Sequence, residues 1–264
     1  MTPQELIAVF EDTQRLIYSN PVLRERMQRC RDGSRLYPEG FVSPTRPRKA
    51  GAVEVVAATT FQCAGELYHR FGRTAVLNFA NPQEPGGGVR RGAMAQEECL
   101  CRCSDLYAAL DQPYFREHYY GFHYQRYDTL FTDRLIYSPG VTVIKSEHMP
   151  PRILEVPFCV DVITCAAPYL LGKAGKTQSE LMDIYRSRIR NILEAAMSRE
   201  VDCLILGAFG CGAFGNDPRL MARAFADLLY GERYAAHFEK VVFAIKASYG
   251  YSRNLEAFRE VFGG

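Results

Sequence analysis

The hydrophobic pattern divides the chain into a helical start and a longer part in which strands and helices alternate. Residues 2–29 carry apolar side chains at helical spacing, and Asn20-Pro21 predicts a break between two helices. Residues 31–50 are rich in Pro, Gly and Arg and predict an irregular loop. The sequence therefore predicts a helical N-terminal extension (1–50) packed on one main domain (51–264).

In the main domain, short apolar runs alternate with amphipathic segments. Strands are predicted at residues 53–57, 74–80, 153–166, 203–206 and 240–245. Helices are predicted at residues 60–71, 96–110, 179–198 and 218–229, and in a short C-terminal segment. Residues 134–144, with Pro139-Gly140 in the middle, predict a β-hairpin. This alternation is typical of the α/β class, in which helices cover a central sheet.

Composition restricts the class of protein further. The chain has 264 residues, of which 47% are hydrophobic and 23% charged, as in a globular protein. The net charge of +2 gives no reason to infer direct DNA binding. The nine cysteines are odd in number and several lie in apolar runs, which favours a reducing compartment, the cytoplasm. Neither a signal peptide nor a membrane span is recognised.

A first glycine-rich loop follows the strand at 74–80. It contains Gly86-Gly87-Gly88 and leads, after seven residues, to Gln96-Glu97-Glu98 at a predicted helix start. Consecutive glycines let the backbone approach a ligand closely, although they also occur in turns that are merely flexible. Carboxylates at a helix start are also common because they complement the helix dipole. The combination is more specific than either part alone.

A second glycine-rich loop, residues 207–216, joins a wholly apolar strand to a helix that opens with Pro218. Its backbone N–H groups, together with the helix N-terminus, predict an anion site suited to phosphates. The loop lacks the Gly-Lys-Ser/Thr of a Walker motif and the third glycine of the dinucleotide fingerprint. In an open α/β sheet, both loops are expected to face one crevice.

These residues carry a family resemblance. Gly86-Gly87-Gly88 followed by Gln96-Glu97-Glu98 resembles the signature of poly(ADP-ribose) glycohydrolases, and residues 207–216 resemble the diphosphate loop of macrodomains. The length of the chain and residues 162–168 are similar to the short, bacterial-type branch. The resemblance covers about residues 50–250 and implies a three-layer α/β/α macrodomain with a mixed central sheet.

The resemblance also implies roles for individual residues. Glu98 is expected to be the general acid/base, and Glu97 to position ribose hydroxyls. Adjacent helical residues point about 100° apart, so unequal roles for the two glutamates are natural. The expected ligand-binding residues are Asn81, Gly86, Gly87, Gly88, Gln96, Gly210, Cys211, Gly212, Ala213, Phe214 and Asn216. Among these, Gly86–Gly88 would wrap the distal ribose and phosphate, and residues 210–213 would bind the diphosphate through backbone amides. Phe214 packs either on the distal ribose or in the core, and Asn81 either contacts ribose or forms a plain turn.

The implied activity is metal-free and cofactor-free cleavage of ribose–ribose O-glycosidic bonds in poly(ADP-ribose), from the chain end, releasing ADP-ribose. The partners would be the polymer or ADP-ribosylated proteins, with no membrane. The alternatives are removal of single ADP-ribose groups from proteins, including arginine-linked ones, a non-catalytic ADP-ribose reader, or another nucleotide-binding domain. The retained glutamate pair speaks against a reader, because binding alone needs no acid at the glycosidic oxygen.

Other features carry weaker hypotheses. Cys99, Cys101 and Cys103 lack metal-ligand spacing, and Cys211 has no evident base to make it a nucleophile. The aromatic stretch at 114–127 is either a lid over adenine or an insertion packed on the sheet. Arg90 and Arg91 either meet phosphates of a longer polymer or are solvated.

The segment at 170–177 is only superficially similar to a P-loop, because the first glycine is missing at the required spacing. The sequence also leaves open whether residues 1–50 shape the site or only stabilise the fold.

Overall fold

A computed structural model describes residues 1–46, 48–49, 51–126, 128–171, 175–248 and 250–263. Within them, seven strands form one mixed sheet in the order β1-β4-β5-β3-β6-β7-β2. The strands are β1 (Arg35–Tyr37), β2 (Ala52–Val56), β3 (Thr74–Phe79), β4 (Leu135–Lys145), β5 (Ile153–Cys165), β6 (Cys203–Leu206) and β7 (Lys240–Ala244). The pairs β5–β3, β3–β6, β6–β7 and β7–β2 are parallel, while β1–β4 and β4–β5 are antiparallel.

Helices cover both faces of the sheet. In chain order they are α1 (Pro3–Ser19), α2 (Pro21–Gly33), α3 (Thr60–Leu67), α4 (Gln96–Cys103), α5 (Leu106–Leu110), α6 (Pro113–Phe115), α7 (Phe122–Gln125), α8 (Gln178–Ser198), α9 (Pro218–Ala226) and α10 (Arg253–Phe262). The break between α1 and α2 is where Asn20-Pro21 predicts it. Asn20 ends one helix and caps the next through its side chain, which accepts the N–H groups of Val22 and Leu23.

The core consists of two apolar layers that the sheet separates. Alternate residues of β3 show the division: Ala75 and Leu77 pack with α8, α9 and α10, whereas Val76 packs with α3, α4 and α5. This follows from the two-residue period of a strand. The result is the three-layer α/β/α arrangement with a mixed sheet that the sequence predicts.

The parallel strands end at one edge of the sheet, and this edge positions the site. Strand β3 lies between β5 and β6, so the loops that follow Phe79, Cys165 and Leu206 emerge side by side. Ligands of open α/β sheets bind at such carboxyl ends.

The predicted hairpin at 134–144 is wrong. These residues form the single strand β4, both halves of which pair with β5, with a register shift between Ser138 and Val141. Pro139 cannot donate to the ladder and Gly140 has φ of +64°, so the turn signal marks a β-bulge. The 13-residue β5 is long enough to pair with both halves.

Two further segments differ from the expectation. Arg35–Tyr37, within the predicted irregular loop, is the edge strand β1 and pairs with Leu135–Tyr137. The predicted helix at 96–110 is divided at Ser104 and Asp105 into α4 and α5, because Ser104 adopts an extended conformation. None of the described helices is both long enough and apolar enough to cross a membrane.

Candidate active site

The first loop (residues 81–95) holds the carboxylate of Glu98 by its backbone. The N–H of Gly88 donates to Oε1 at 2.9 Å, and the N–H of Ala95 donates to Oε2 at 2.9 Å. Glu98 is the third residue of α4, so its bond to the N–H before the helix is one half of a capping box. Its orientation is therefore fixed from both ends of the segment 88–95, and 8% of the residue is exposed.

Glu97 lies deeper, with 3% exposed. Its Oε2 accepts the N–H of Asn81 at 2.6 Å, and its Oε1 accepts Nδ2 of Asn78 at 3.2 Å. Burial raises the pKa of Glu97 to about 8, against the lowering effect of these two donors. Asn78 is a functional candidate that sequence reasoning missed, although a polar residue in the middle of a buried strand was a visible signal.

The consecutive glycines Gly86–Gly88 of the first loop lie in close contact with their surroundings. Gly87 has φ of +56°, and a Cβ there would lie 2.5 Å from Oε1 of Glu98 and 3.2 Å from Oε2 of Glu97. At Gly86, with φ of +68°, a Cβ would lie 2.8 Å from the Tyr107 ring. The segment is thus a close-fitting cover over both carboxylates and not a merely flexible turn.

Two predicted ligand-binding side chains have structural partners. Gln96 accepts the N–H of Phe79 at 2.8 Å and donates to the carbonyl of Leu77 at 2.7 Å, so it ties α4 to the end of β3. Asn81 accepts the N–H groups of Gln83 and Glu84, which is the turn-forming role that its sequence context also allows.

The second loop (residues 207–216) has amides that bind nothing in the described chain. The N–H groups of Gly210, Gly212, Ala213 and Phe214 have no protein acceptor among the described residues, whereas the N–H of Cys211 donates to the carbonyl of Ala208 at 3.1 Å. Unpaired amides in a glycine loop form an anion-binding concavity.

The expectation that the N-terminus of α9 contributes to anion binding is wrong. Asp217 is the N-cap of α9, and its carboxylate accepts the N–H groups of Arg219 and Leu220. The helix end is therefore already occupied by a negative charge, and only the loop amides remain available to an anion.

The other predicted residues of the second loop have defined neighbours. Asn216 is buried and donates to the carbonyls of Pro168 and Gly210, so it closes the loop upon itself. Phe214 is half-buried and packs edge-on against Tyr169, with ring centroids 5.6 Å apart. Burial raises the pKa of Cys211 to about 12, so its thiol is protonated at neutral pH and is a poor nucleophile.

A cavity of about 450 Å³ is lined by residues of both the first loop and the second loop. Of the predicted residues, its walls include Gln96, Gly210, Gly212, Ala213 and Phe214. Asn81, Gly86–Gly88, Glu97, Glu98, Cys211 and Asn216 are not among the lining residues; the two glutamates follow directly after the lining residues Ala95 and Gln96.

The walls of the cavity also include residues that sequence reasoning missed, namely Glu147, Met149 and Lys246. The Glu147 carboxylate accepts the N–H of Phe61 at the start of α3, and burial raises its pKa. No local signal identifies Glu147, because its partner lies 86 residues earlier in the chain.

The weaker hypotheses are also resolved in part. Phe115, Tyr119, Tyr120 and His123 are buried, as expected of an insertion packed on the domain, and Tyr127 lies outside the described residues. Among the residues described, no three His, Cys, Asp or Glu side chains group as metal ligands.

The arginines of the first loop already have protein partners. Arg91 forms a bidentate pair with Glu84. Arg90 donates to the Tyr107 hydroxyl at 2.8 Å. In the segment at 170–177, residues 172–174 lie outside the described residues, and Thr177 is the N-cap of α8.

Comparison with known proteins identifies the family. Residues 9–146 match the model of the microbial-type PARG catalytic domain, where PARG is poly(ADP-ribose) glycohydrolase. The chain belongs to this family. It is accordingly a glycosidase that hydrolyses poly(ADP-ribose). Among curated proteins, none matches this chain.

Solved PARG structures are similar over almost the whole chain. The crystal structure from Thermomonospora curvata is 34% identical, covers 98% of this chain and 100% of its own, and has a TM-score of 0.86. The same protein bound to the inhibitor ADP-HPD is 33% identical, covers 97% of this chain and 99% of its own, and has a TM-score of 0.85. PARG from Deinococcus radiodurans in complex with ADP-ribose is 35% identical, covers 90% of this chain and 96% of its own, and has a TM-score of 0.79.

Proposed function

We propose that this microbial-type PARG cleaves the ribose–ribose O-glycosidic bond at the chain end of poly(ADP-ribose), with Glu98 as general acid/base. The observation that carries the proposal is the fixed Glu98 carboxylate, which accepts the N–H of Ala95, a residue that lines a cavity whose walls also include the unpaired amides of the second loop. The loop amides bind the diphosphate, and Glu98 faces the glycosidic oxygen beyond it.

The carboxyl group of Glu98 alone can supply the proton transfers for cleavage of the glycosidic bond: it first donates a proton and then accepts one. Protonated Glu98 donates its proton to the leaving ribose oxygen as the C1–O bond breaks, and an oxocarbenium-like centre forms. The resulting carboxylate takes a proton from water as the water oxygen bonds to C1, which regenerates the acid. The negative diphosphate stabilises the positive ribose centre.

The remaining residues position the substrate. A carboxyl oxygen can take part in more than one hydrogen bond, so Glu97 can bind a ribose hydroxyl in addition to the N–H of Asn81 and Nδ2 of Asn78. Gly86–Gly88 wrap the distal ribose and phosphate, and Phe214 packs on that ribose. Because the N–H of Cys211 is already paired, the diphosphate is bound by Gly210, Gly212, Ala213 and Phe214.

Action at the chain end is supported by the size of the cavity. A volume of about 450 Å³ suits a single ligand of nucleotide size. The relatives bind ADP-ribose or the inhibitor ADP-HPD, which supports ADP-ribose as the released product.

The test uses wild type and Glu98→Gln on purified poly(ADP-ribose), with products resolved by size. We expect wild type alone to release free ADP-ribose, and the variant to bind ADP-ribose within about 3-fold of wild type while turnover falls by roughly 10²- to 10⁴-fold. Retained activity in Glu98→Gln would remove Glu98 from the mechanism. Release of oligomers before ADP-ribose would contradict action at the chain end.

We further propose that the reaction needs no metal, so that EDTA leaves turnover unchanged. Glu98 as proton donor and acceptor and the amides as anion binders supply the chemistry without a Lewis acid. Loss of activity in EDTA that added Mg²⁺ or Zn²⁺ restores would overturn this part.

The proposed organisation is a macrodomain-type catalytic unit at 51–264, with residues 1–50 packed on it. The sheet order and the two-loop edge support this assignment, and α1 contacts α4. All nine cysteines are unpaired, which supports a reducing compartment such as the cytoplasm.

A further inference from the structure

Arg102, in the last turn of α4, is a fully buried arginine without an acidic partner. In the described part of the chain no carboxylate forms an ion pair with it, and its Nε has no hydrogen-bond partner. The other fully buried arginine, Arg188, has a partner: its Nε lies 2.6 Å from Oδ1 of Asp133. Burying a cation without a counter-charge is costly, so Arg102 calls for a reason beyond packing.

The guanidinium reaches back to the first loop. One terminal nitrogen donates to the carbonyl of Ala93 at 2.7 Å, and the other lies 3.4 Å from Sγ of Cys99. Helical side chains tilt toward the N-terminus, so a residue in the last turn can reach a carbonyl ahead of the first.

Ala93 belongs to the segment that fixes Glu98. Its N–H donates to the carbonyl of Gly88 at 3.1 Å, and Gly88 and Ala95 supply the two amides that hold the Glu98 carboxylate. Arg102 therefore contacts the segment at a carbonyl that lies between those two amides in the chain.

The N-terminal helix supports the same segment from outside. Thr13 is fully buried, and its hydroxyl donates to the carbonyl of Arg102 at 2.5 Å. That carbonyl is one of the helix-terminal groups that have no partner inside α4. Pro3, at the start of α1, lies directly against Gly92: a Cβ on Gly92 would lie 2.6 Å from Cα of Pro3.

The helix α1 is in turn anchored at the far end of β4. Nζ of Lys145, which is buried, lies 2.7 Å from Oδ2 of Asp12 and donates to the carbonyl of Val9 at 3.2 Å. The support thus extends from the sheet through α1 to both α4 and the first loop.

We propose that Arg102 is a positioning residue that, together with α1, keeps residues 92–95 in the conformation that orients Glu98. This proposal rests on the proposed role of Glu98. It also assigns residues 1–50 a part in shaping the site, beyond stabilising the fold.

The experiment compares Arg102→Met with Arg102→Lys, using poly(ADP-ribose) for turnover and ADP-ribose for binding. Methionine fills similar space but cannot donate to the Ala93 carbonyl, whereas lysine keeps one donor. We expect kcat to fall by about 10- to 100-fold in Arg102→Met, because a shift of about 1 Å in a reacting group has this order of effect. Arg102→Lys should recover most of the loss, and KM and the Kd for ADP-ribose should stay within about 3-fold of wild type.

Two further variants test the contact with α1 without removing the buried charge. Thr13→Val keeps the shape of Thr13 and removes its hydroxyl, and we expect a smaller fall in kcat of about 3- to 10-fold. Gly92→Ala presses on Pro3, and its control is Gly40→Ala, which has a similar φ of +66° but no neighbour within 4 Å of the added methyl. Only Gly92→Ala should lose turnover.

The outcomes separate this proposal from the proposed function. Wild-type kcat in folded Arg102→Met, or in Thr13→Val if Arg102→Met does not fold, overturns the positioning role while Glu98→Gln stays inactive. An equal weakening of kcat and of ADP-ribose binding would show a general loss of structure and would also overturn it. Activity in Glu98→Gln would instead mean that the proposed function itself has failed.

Discussion

The first loop and the second loop follow neighbouring strands and are both rich in glycine, yet their backbone amides have different partners. In the first loop, the amides of Asn81, Gly88 and Ala95 bind carboxylates of the protein itself. In the second loop, the amides of Gly210, Gly212, Ala213 and Phe214 bind nothing in the described chain. One loop therefore fixes the two glutamates proposed for proton transfer and substrate positioning, and the other leaves amide donors free for the proposed diphosphate.

The difference explains why glycine is needed in each loop. In the first, Gly87 is required because two carboxylates occupy the space that a side chain would take. In the second, a Cβ added at Gly212 would have no neighbour within 4 Å, so this glycine leaves open space on the ligand side. Substitutions in the first loop should act on kcat, and substitutions in the second on binding.

The largest effect is expected from Gly87→Ala. The added methyl group would lie 2.5 Å from Oε1 of Glu98 and would therefore displace the carboxyl group. We expect kcat to fall by about 100-fold, with a smaller change in the Kd for ADP-ribose. Gly140→Ala is the matched control, because Gly140 has φ of +64° and open space around it. Steady-state kinetics and thermal unfolding of both variants measure the effect. Equal losses of kcat in the two would mean that backbone strain, and not contact with Glu98, is responsible.

A smaller effect, on ADP-ribose binding and not on kcat, is expected from Ala213→Asp. Ala213 is exposed at the wall of the cavity, and a carboxylate there would repel the diphosphate by about 1 to 4 kcal/mol at 4 Å. The Kd for ADP-ribose should therefore rise by about 10- to 100-fold while kcat stays within about 3-fold. Ala213→Asn is the neutral control of the same size and should bind within about 3-fold of wild type. Calorimetric titration with ADP-ribose measures the Kd of each variant. Unchanged binding in Ala213→Asp would show that the second loop does not bind the diphosphate.

Sequence reasoning identified both loops because their signals are local. Glycine runs, the adjacent Glu97 and Glu98 and the apolar strand before Gly207 can each be recognised within a short window. Most of the sheet was also predicted, because the strands β3, β6 and β7 are short apolar runs with clear boundaries.

What could not be predicted depends on distant partners. Pro139-Gly140 has the same local signal in a hairpin and in a bulge, and only the length of β5 decides between them. The cap at Asp217, by contrast, was a local signal that sequence reasoning missed, because the sequence already predicts a helix that opens with Pro218. The contact of Arg102 with Ala93 depends on how the first loop folds back over α4.

The first loop also differs from the second in its dependence on pH, because it holds a buried acid. The pKa of Glu97 is about 8 in the folded protein, whereas an unfolded glutamate has its ordinary value near 4.5. Between these values the folded state keeps a proton that the unfolded state has released, so stability falls as pH rises. One proton corresponds to about 1.4 kcal/mol per pH unit, which gives Glu97 a contribution of about −2 kcal/mol between pH 5.5 and 7.0.

Glu97→Gln removes this contribution, since glutamine does not titrate. Urea unfolding of wild type and Glu97→Gln at both pH values, without ligand, should show a shallower decline in the variant. The variant also loses one hydrogen bond, because its amide nitrogen cannot accept the N–H of Asn81, but that loss is the same at both pH values and cancels in the difference. Parallel declines in the two proteins would mean that Glu97 is already ionised in the fold. In that case the donors Asn78 and Asn81 outweigh burial, and the first loop holds a charged Glu97 under its glycines.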